Sequence, residues 1–212
     1  MRGTLVHYLT VRDLLIIRHG ESEWNLEGRW QGWMDAPLTA LGEKQAHQRA
    51  AALADSGFSP VVVHCSDLGR ARRTAEIVAG VLGAAVRSHR GLRERGGGEW
   101  EGHTPDEIDE KWPGLRKAWR RGELTGPPGG ETDAAVYTRF DAAVSDLLAG
   151  PDPAMVVTHG GVLRLVASRA GVPDAALLPN LGGYRFEVAG RTLANAEPLP
   201  PLKSATKLPT AE

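Results

Sequence analysis

Two hydrophobic patterns alternate along the chain. Short apolar runs stop abruptly at polar residues and glycine, and longer stretches between them repeat apolar positions at helical spacing. Leu14-Leu15-Ile16-Ile17 runs into Arg18-His19-Gly20, Val61-Val62-Val63 into His64-Cys65-Ser66, and Met155-Val156-Val157 into Thr158-His159-Gly160-Gly161. Continuous apolar runs bounded by turn signals predict buried strands of a parallel sheet. Thr39 is placed to cap a helix with apolar positions Leu41, Ala46, Ala50, Leu53 and Ala54, ended by Ser56-Gly57. A helix from about Arg70 to Leu82 carries Ala71, Ala75, Val78 and Leu82 on one face, and one from about Thr132 to Leu148 carries Val136, Phe140, Val144 and Leu147. Another helix is predicted from Val162 to Ala170. Val86 opens a short third strand, and Tyr184–Val188 with Arg191–Leu193 predict a final hairpin around Ala189-Gly190. This alternation predicts an α/β fold, a three-layer α/β/α sandwich with a mostly parallel central sheet.

The stretches outside this rhythm fill in the organisation. Residues 1–12 read as a loose lead-in or edge segment. Trp24 to Leu38 reads as a long aromatic-rich loop, and such loops in compact domains are usually functional. Thr104-Pro105-Asp106-Glu107 is a helix start with a cap, a proline at the first helical position and an acid at the third. It opens a small helical insertion over about 104–126, closed by Pro127-Pro128-Gly129-Gly130. The reading is one domain over residues 1–196, followed by a disordered tail over 197–212, where prolines and small polar residues dominate.

Composition narrows the function without naming it. The chain has 212 residues, 42% hydrophobic and 24% charged, ordinary for a soluble enzyme. A formal net charge of -1 gives no global field for nucleic acid, so any anion site must come from clustered arginines. A single cysteine, Cys65, precludes an intrachain disulfide and fits a reducing cytoplasm. No secretory signal is visible, and no run approaches the ~20 apolar residues of a membrane helix. A homodimer is one possible assembly.

The chemistry concentrates at strand ends. In open α/β sheets, ligands bind in the crevice outside the carboxyl ends of strands. Two strands end there in His-Gly, at His19-Gly20 and His159-Gly160, and a third leads to Arg70 at a helix start, where backbone N–H groups already favour an anion. Arginine offers a charged planar fork that matches phosphate oxygens, and histidine can act as nucleophile, acid or base. Two imidazoles with Arg18 and Arg70 in one crevice suit a dianionic phosphoryl group without a metal. No zinc-like spacing and no Walker-type loop is present, so no metal or cofactor is expected. His7, His47, His64, His89 and His103 lack a partner motif and read as structural or surface residues. Arg72 and Arg73 are expected to face solvent or pair with acids on their own helix, and Cys65 to act as a small buried hydrophobe.

Six pieces in order carry a resemblance: Arg18-His19-Gly20-Glu21-Ser22-Glu23-Trp24-Asn25, Leu38-Thr39-Ala40-Leu41-Gly42, Ser66-Asp67-Leu68-Gly69-Arg70-Ala71, Leu92-Arg93-Glu94 with Gly98-Glu99-Trp100-Glu101-Gly102, Gly129-Gly130-Glu131, and Val157-Thr158-His159-Gly160-Gly161. Over roughly residues 14–190 the chain resembles the histidine phosphatase superfamily, with its phosphoglycerate-mutase-like fold, and within it the phosphatase branch. The resemblance implies a phosphomonoester hydrolase acting on a small phosphorylated metabolite. His19 would become a phosphohistidine, Arg18, Arg70 and His159 would hold the phosphoryl oxygens, and Glu94 would be the general acid and then base. Asn25, Gln31, Gly32 and Gly160 would line the substrate pocket, with Arg120 and Arg121 as anion-binding forks from the insertion. One departure is that Gly96-Gly97-Gly98 stands where the family often has an aromatic, so a packing anchor beside the acid is expected to be missing. The rivals are a mutase of the same family and a catalytically dead member that binds phosphorylated ligands or protein partners.

Overall fold

The computed structural model describes residues 12–149, 154–173, 175 and 178–202. In chain order the elements are β1 (Arg12–Arg18), α1 (Glu23–Leu26), α2 (Ala40–Asp55), β2 (Val62–Ser66), α3 (Gly69–Leu82) and β3 (Ala85–His89). Then come α4 (Pro105–Lys111), α5 (Leu115–Arg120), α6 (Asp133–Leu148), β4 (Ala154–Thr158), α7 (Gly160–Arg169), β5 (Gly183–Ala189) and β6 (Thr192–Pro198). The described strands form one sheet in the order β3-β2-β4-β1-β5-β6. The β3, β2, β4 and β1 pairings are parallel, while β5 and β6 add antiparallel edges.

Side-chain alternation along the central strands explains the three layers. Leu14, Ile16 and Val156 point to one face, where α6 and α7 supply Val136, Phe140, Leu163 and Val166. Leu15, Ile17, Val63, Cys65, Met155 and Val157 point to the other, against Ala50 and Leu53 of α2 and Ala71, Ala75 and Val78 of α3. The period of two thus makes an unbroken apolar run amphipathic in both directions, which only a sheet covered on both faces can bury.

Three expectations change. The loop from Trp24 contains the one-turn α1, whose cap Ser22 accepts from the Asn25 amide while the Asn25 side chain returns to the Ser22 amide. Residues 197–202, expected to belong to a disordered tail, are part of the fold: β6 runs to Pro198, the Leu199 amide donates to Gly183 (2.9 Å), and Leu199 and Leu202 pack on the α2–α3 side of the core. Residues 203–212, like residues 1–11 of the lead-in, lie outside the described residues, and Arg12 already belongs to β1. Lastly, Arg73 reaches across to Glu43 of α2 rather than pairing on its own helix, while Arg72 pairs with Glu76.

Candidate active site

Strand register sets the centre of the site. β1 and β4 are parallel neighbours with Arg18 opposite Thr158, so His19 and His159 leave the sheet side by side. The His19 amide donates to Thr158 (2.9 Å), and the two imidazole rings meet edge to face with centroids 5.2 Å apart. The turn after His19 packs directly on the start of α2. A Cβ at Gly20 would stand 2.5 Å from the Gly42 carbonyl oxygen, and one at Gly42 would stand 2.0 Å from that of Glu21. Only glycines allow this approach. The Gly20 amide donates to Thr74 Oγ1 (3.0 Å), which fixes the turn against α3 as well.

The His19 ring is buried, and its Nδ1 lies 2.6 Å from the Gly20 carbonyl oxygen. A carbonyl oxygen can only accept, so Nδ1 carries the proton and the lone pair of the neutral ring is on Nε2. Burial first, then the Arg70 and Arg18 charges, pushes the His19 pKa well below its usual value. His159 is fully buried and shifted the same way, by burial and then by Arg70 and His19. Neither of its ring nitrogens has a hydrogen-bond partner among the described residues, so the ring holds two unspent polar atoms beside His19.

Both arginines face this pair. Arg18 Nη1 donates to the Leu178 carbonyl (2.6 Å) and its Nε is unpartnered. Arg70 is almost wholly buried, with Nη1 on the Met34 carbonyl and Asp35 Oδ1 (both 2.9 Å) and Nη2 on the Gly32 carbonyl (2.8 Å). The α3 amino end, expected to be open to an anion, is already filled. Leu68 cannot cap it with its side chain, and the Asp35 carboxylate takes the Gly69 and Arg70 amides instead. Asp35 therefore orients Arg70 and caps its helix at once.

Glu94 arrives from the segment after β3. Its carboxylate lies across the amino end of α7, accepting from the Arg95 (2.8 Å), Gly161 (3.0 Å) and Val162 (3.1 Å) amides. The glycine-rich stretch beside it is anchored, contrary to expectation: Trp33 Nε1 donates to the Glu94 carbonyl (2.8 Å), and an arginine–carboxylate network holds the rest. Arg139 of α6 donates to the carbonyls of Gly91 (2.9 Å), Arg93 (2.7 Å) and Glu94 (2.9 Å) and forks onto Glu131. Glu131 in turn accepts the Gly96 amide (2.8 Å), and Glu101 accepts that of Gly97 (2.7 Å). Nothing local in the sequence marks Arg139, although Glu131 sits in a recognisable motif.

A cavity of about 400 Å³ joins these groups. Arg18, His19, Arg70, Glu94, Asn25, Gln31, Gly32, Gly160 and Arg120 line it, and His159 lies against His19. Asn25 is held through Oδ1 by Asn180 (3.0 Å), and Gln31 through Oε1 by Ser22 (3.0 Å). Arg121 does not belong. It follows the last residue of α5, is exposed, forks onto Glu123, and is not among the residues lining the cavity that Arg120 reaches. Arg29, Trp30, Arg95, Trp119 and Arg164 complete the wall. Trp119 of α5 packs edge-on to Trp30 (5.4 Å) and to the buried Trp100 (5.8 Å), which pins the insertion over the cavity.

An arginine-rich crevice at the carboxyl ends of parallel strands, with the His19 imidazole in its lining and His159 buried against it, defines an α/β enzyme of phosphoryl groups. Comparison with known proteins resolves that class: the family described as "Histidine phosphatase superfamily (branch 1)" matches residues 14–185, and the chain belongs to it as a phosphomonoester hydrolase. The glucosyl-3-phosphoglycerate phosphatase of Mycolicibacterium vanbaalenii is 36% identical over 90% of this chain and 89% of its own. A probable phosphoglycerate mutase GpmB of Klebsiella pneumoniae is 39% identical over 76% of each chain. A mycobacterial glucosyl-3-phosphoglycerate phosphatase solved with VO3 is 31% identical, with a TM-score of 0.76 over 88% of this chain and 97% of that one.

Proposed function

We propose that the chain hydrolyses a small phosphomonoester in two steps on His19. Nε2 of His19 attacks phosphorus in line, the phosphorus–oxygen bond to the leaving group breaks, and Glu94 as the acid gives its proton to the departing alkoxide. Glu94 then takes a proton from water as that water attacks the phosphohistidine, releasing inorganic phosphate and restoring the imidazole. Arg18, Arg70 and His159 hold the phosphoryl oxygens, and the orphaned nitrogens of His159 and Nε of Arg18 are the groups such oxygens would satisfy. The observation that carries this reading is the Nδ1 contact of His19 with Gly20, which leaves Nε2 as its lone-pair nitrogen.

The substrate class we favour is a phosphorylated carboxylic metabolite of the kind named in the mycobacterial relatives, with Asn25, Gln31, Gly32, Gly160 and Arg120 in contact with it. Arginines supply the charge, so EDTA should leave the rate unchanged, while vanadate should inhibit as a five-coordinate phosphoryl mimic. A cytoplasmic location is part of the reading, and assembly of the chain as monomer or homodimer is read by sedimentation. The test is product analysis with p-nitrophenyl phosphate and 3-phosphoglycerate. Phosphate should appear as fast as substrate disappears. Interconversion of 2- and 3-phosphoglycerate with little phosphate released would favour a mutase instead, and binding with no turnover would favour a non-catalytic member.

A further inference from the structure

We infer that Asn180 is a positioning residue for the proposed reaction: from outside the cavity it holds the Asn25 amide so that its nitrogen, a donor, meets the phosphoryl oxygens. This deepens the hydrolase reading and rests on it. Asn25 lines the cavity, whereas Asn180 is not among the lining residues. Asn180 Nδ2 donates to the His19 carbonyl (3.1 Å) and to Asn25 Oδ1 (3.0 Å). A carbonyl oxygen only accepts, so the His19 contact fixes which end of the Asn180 amide is nitrogen, and both its hydrogens are then spent. Asn25 must present oxygen to that donor, and the Ser22 amide (3.2 Å) takes the same oxygen. Asn25 Nδ2 therefore keeps both hydrogens, with no protein partner among the described residues. Asn25 meets the cavity as a donor only, the polarity that phosphoryl oxygens require.

The turn that carries Asn180 is braced from several sides. The Gly182 amide donates to the Pro179 carbonyl (2.9 Å), which closes a four-residue turn with Asn180 and Leu181 at its centre. Leu181 has φ +57°, at a turn position that normally takes glycine or asparagine. A leucine keeps that conformation only where its surroundings over-determine it. Its side chain is buried on the α2–α3 side of the core, its amide donates to the Arg18 carbonyl (3.2 Å), and its carbonyl accepts from Arg49 Nε (3.0 Å). Arg49, buried in α2, also donates to the Pro200 carbonyl (3.0 Å). Leu178, just before the turn, accepts from Arg18 Nη1. One braced turn thus touches Arg18, His19 and Asn25, and Asn180 is the side chain that ties the backbone of the nucleophile to the amide lining the cavity.

Binding of inorganic phosphate, read by calorimetry, tests this apart from turnover. N25A should weaken binding about tenfold, since it removes the donor, and N180L about threefold or more, since it loosens that donor. In the N25A background, N180L should add less than about twofold, because Asn180 then has no amide to orient. N180A, with less bulk at the same place, should repeat that coupling. A merely structural Asn180 would lower the denaturant midpoint and leave phosphate affinity where it was. Unchanged affinity in N180L and N180A, or equal losses with and without the Asn25 side chain, would overturn the assignment. A wild type that binds phosphate but releases none from p-nitrophenyl phosphate would overturn the hydrolase reading instead, and the binding cycle would still decide Asn180.

Discussion

An imidazole attacks only through the nitrogen that keeps its lone pair, and for His19 one carbonyl makes that choice. The Gly20 carbonyl accepts a hydrogen bond from Nδ1–H, while burial and two guanidiniums keep the ring neutral. In the proposed reaction, leaving-group chemistry falls to Glu94, since an alkoxide departs poorly without a proton. Glu94→Gln should lower kcat by ~10²-fold or more on alkyl phosphates and clearly less on nitrophenyl phosphate, whose leaving group needs little help. Equal losses on the two substrates would assign the proton to another group. His19 was readable from the sequence because it stands at a strand end, whereas Glu94 lies in the segment after β3 and came only from the family resemblance. Asp35 was not readable, since its cap on α3 crosses from a loop with no periodic signal.

At the scale of elements, the acid is positioned by a helix that never touches the cavity. Arg139 of α6 carries the carbonyls of Gly91, Arg93 and Glu94 in one fork and locks Glu131 beneath Gly96. A misplacement of about 1 Å can cost ~10²-fold in rate. Arg139→Lys and Glu131→Gln should therefore lower kcat roughly tenfold or more, with the larger loss on alkyl phosphates, repeating the Glu94 signature. A loss that is uniform across leaving groups would reduce the pair to ordinary fold support. Gly98 in the same loop has φ +55°, and a Cβ there would stand 2.2 Å from the Pro128 carbonyl oxygen. Gly98→Ala should destabilise the fold by roughly 1–3 kcal/mol from the backbone conformation alone, read as a lower denaturant midpoint at unchanged slope. A triple glycine in isolation predicts pliancy. What holds it here includes Glu131, 35 residues from Gly96 in sequence, which no local pattern around the glycines announces.

For the whole molecule, the strand–helix alternation foretold the sandwich well, because burial on both sheet faces forces long apolar runs. It could not foretell that Leu199 and Leu202 return to the core, since two leucines among prolines carry no period. The same buried architecture ties stability to pH. His19, His159 and His64 all have depressed pKa values, His64 down to about 4 through burial and then His89 beside it. The unfolded chain therefore binds more protons than the native one below about pH 6.5, so stability must rise with pH up to that point. Denaturant unfolding should show a steady gain from pH 5 to 6.5 and a plateau above it. A flat profile across that window would contradict the burial of neutral imidazoles.

The central claim is that a phosphoryl group passes through His19, and rapid quench tests it most directly. Wild-type chain mixed with a phosphomonoester and stopped within one turnover should carry one added phosphoryl group on the peptide containing His19, labile to acid and stable to base, and absent from His19→Ala. No such adduct in the wild type during active turnover, or an adduct that persists in His19→Ala, would contradict the account.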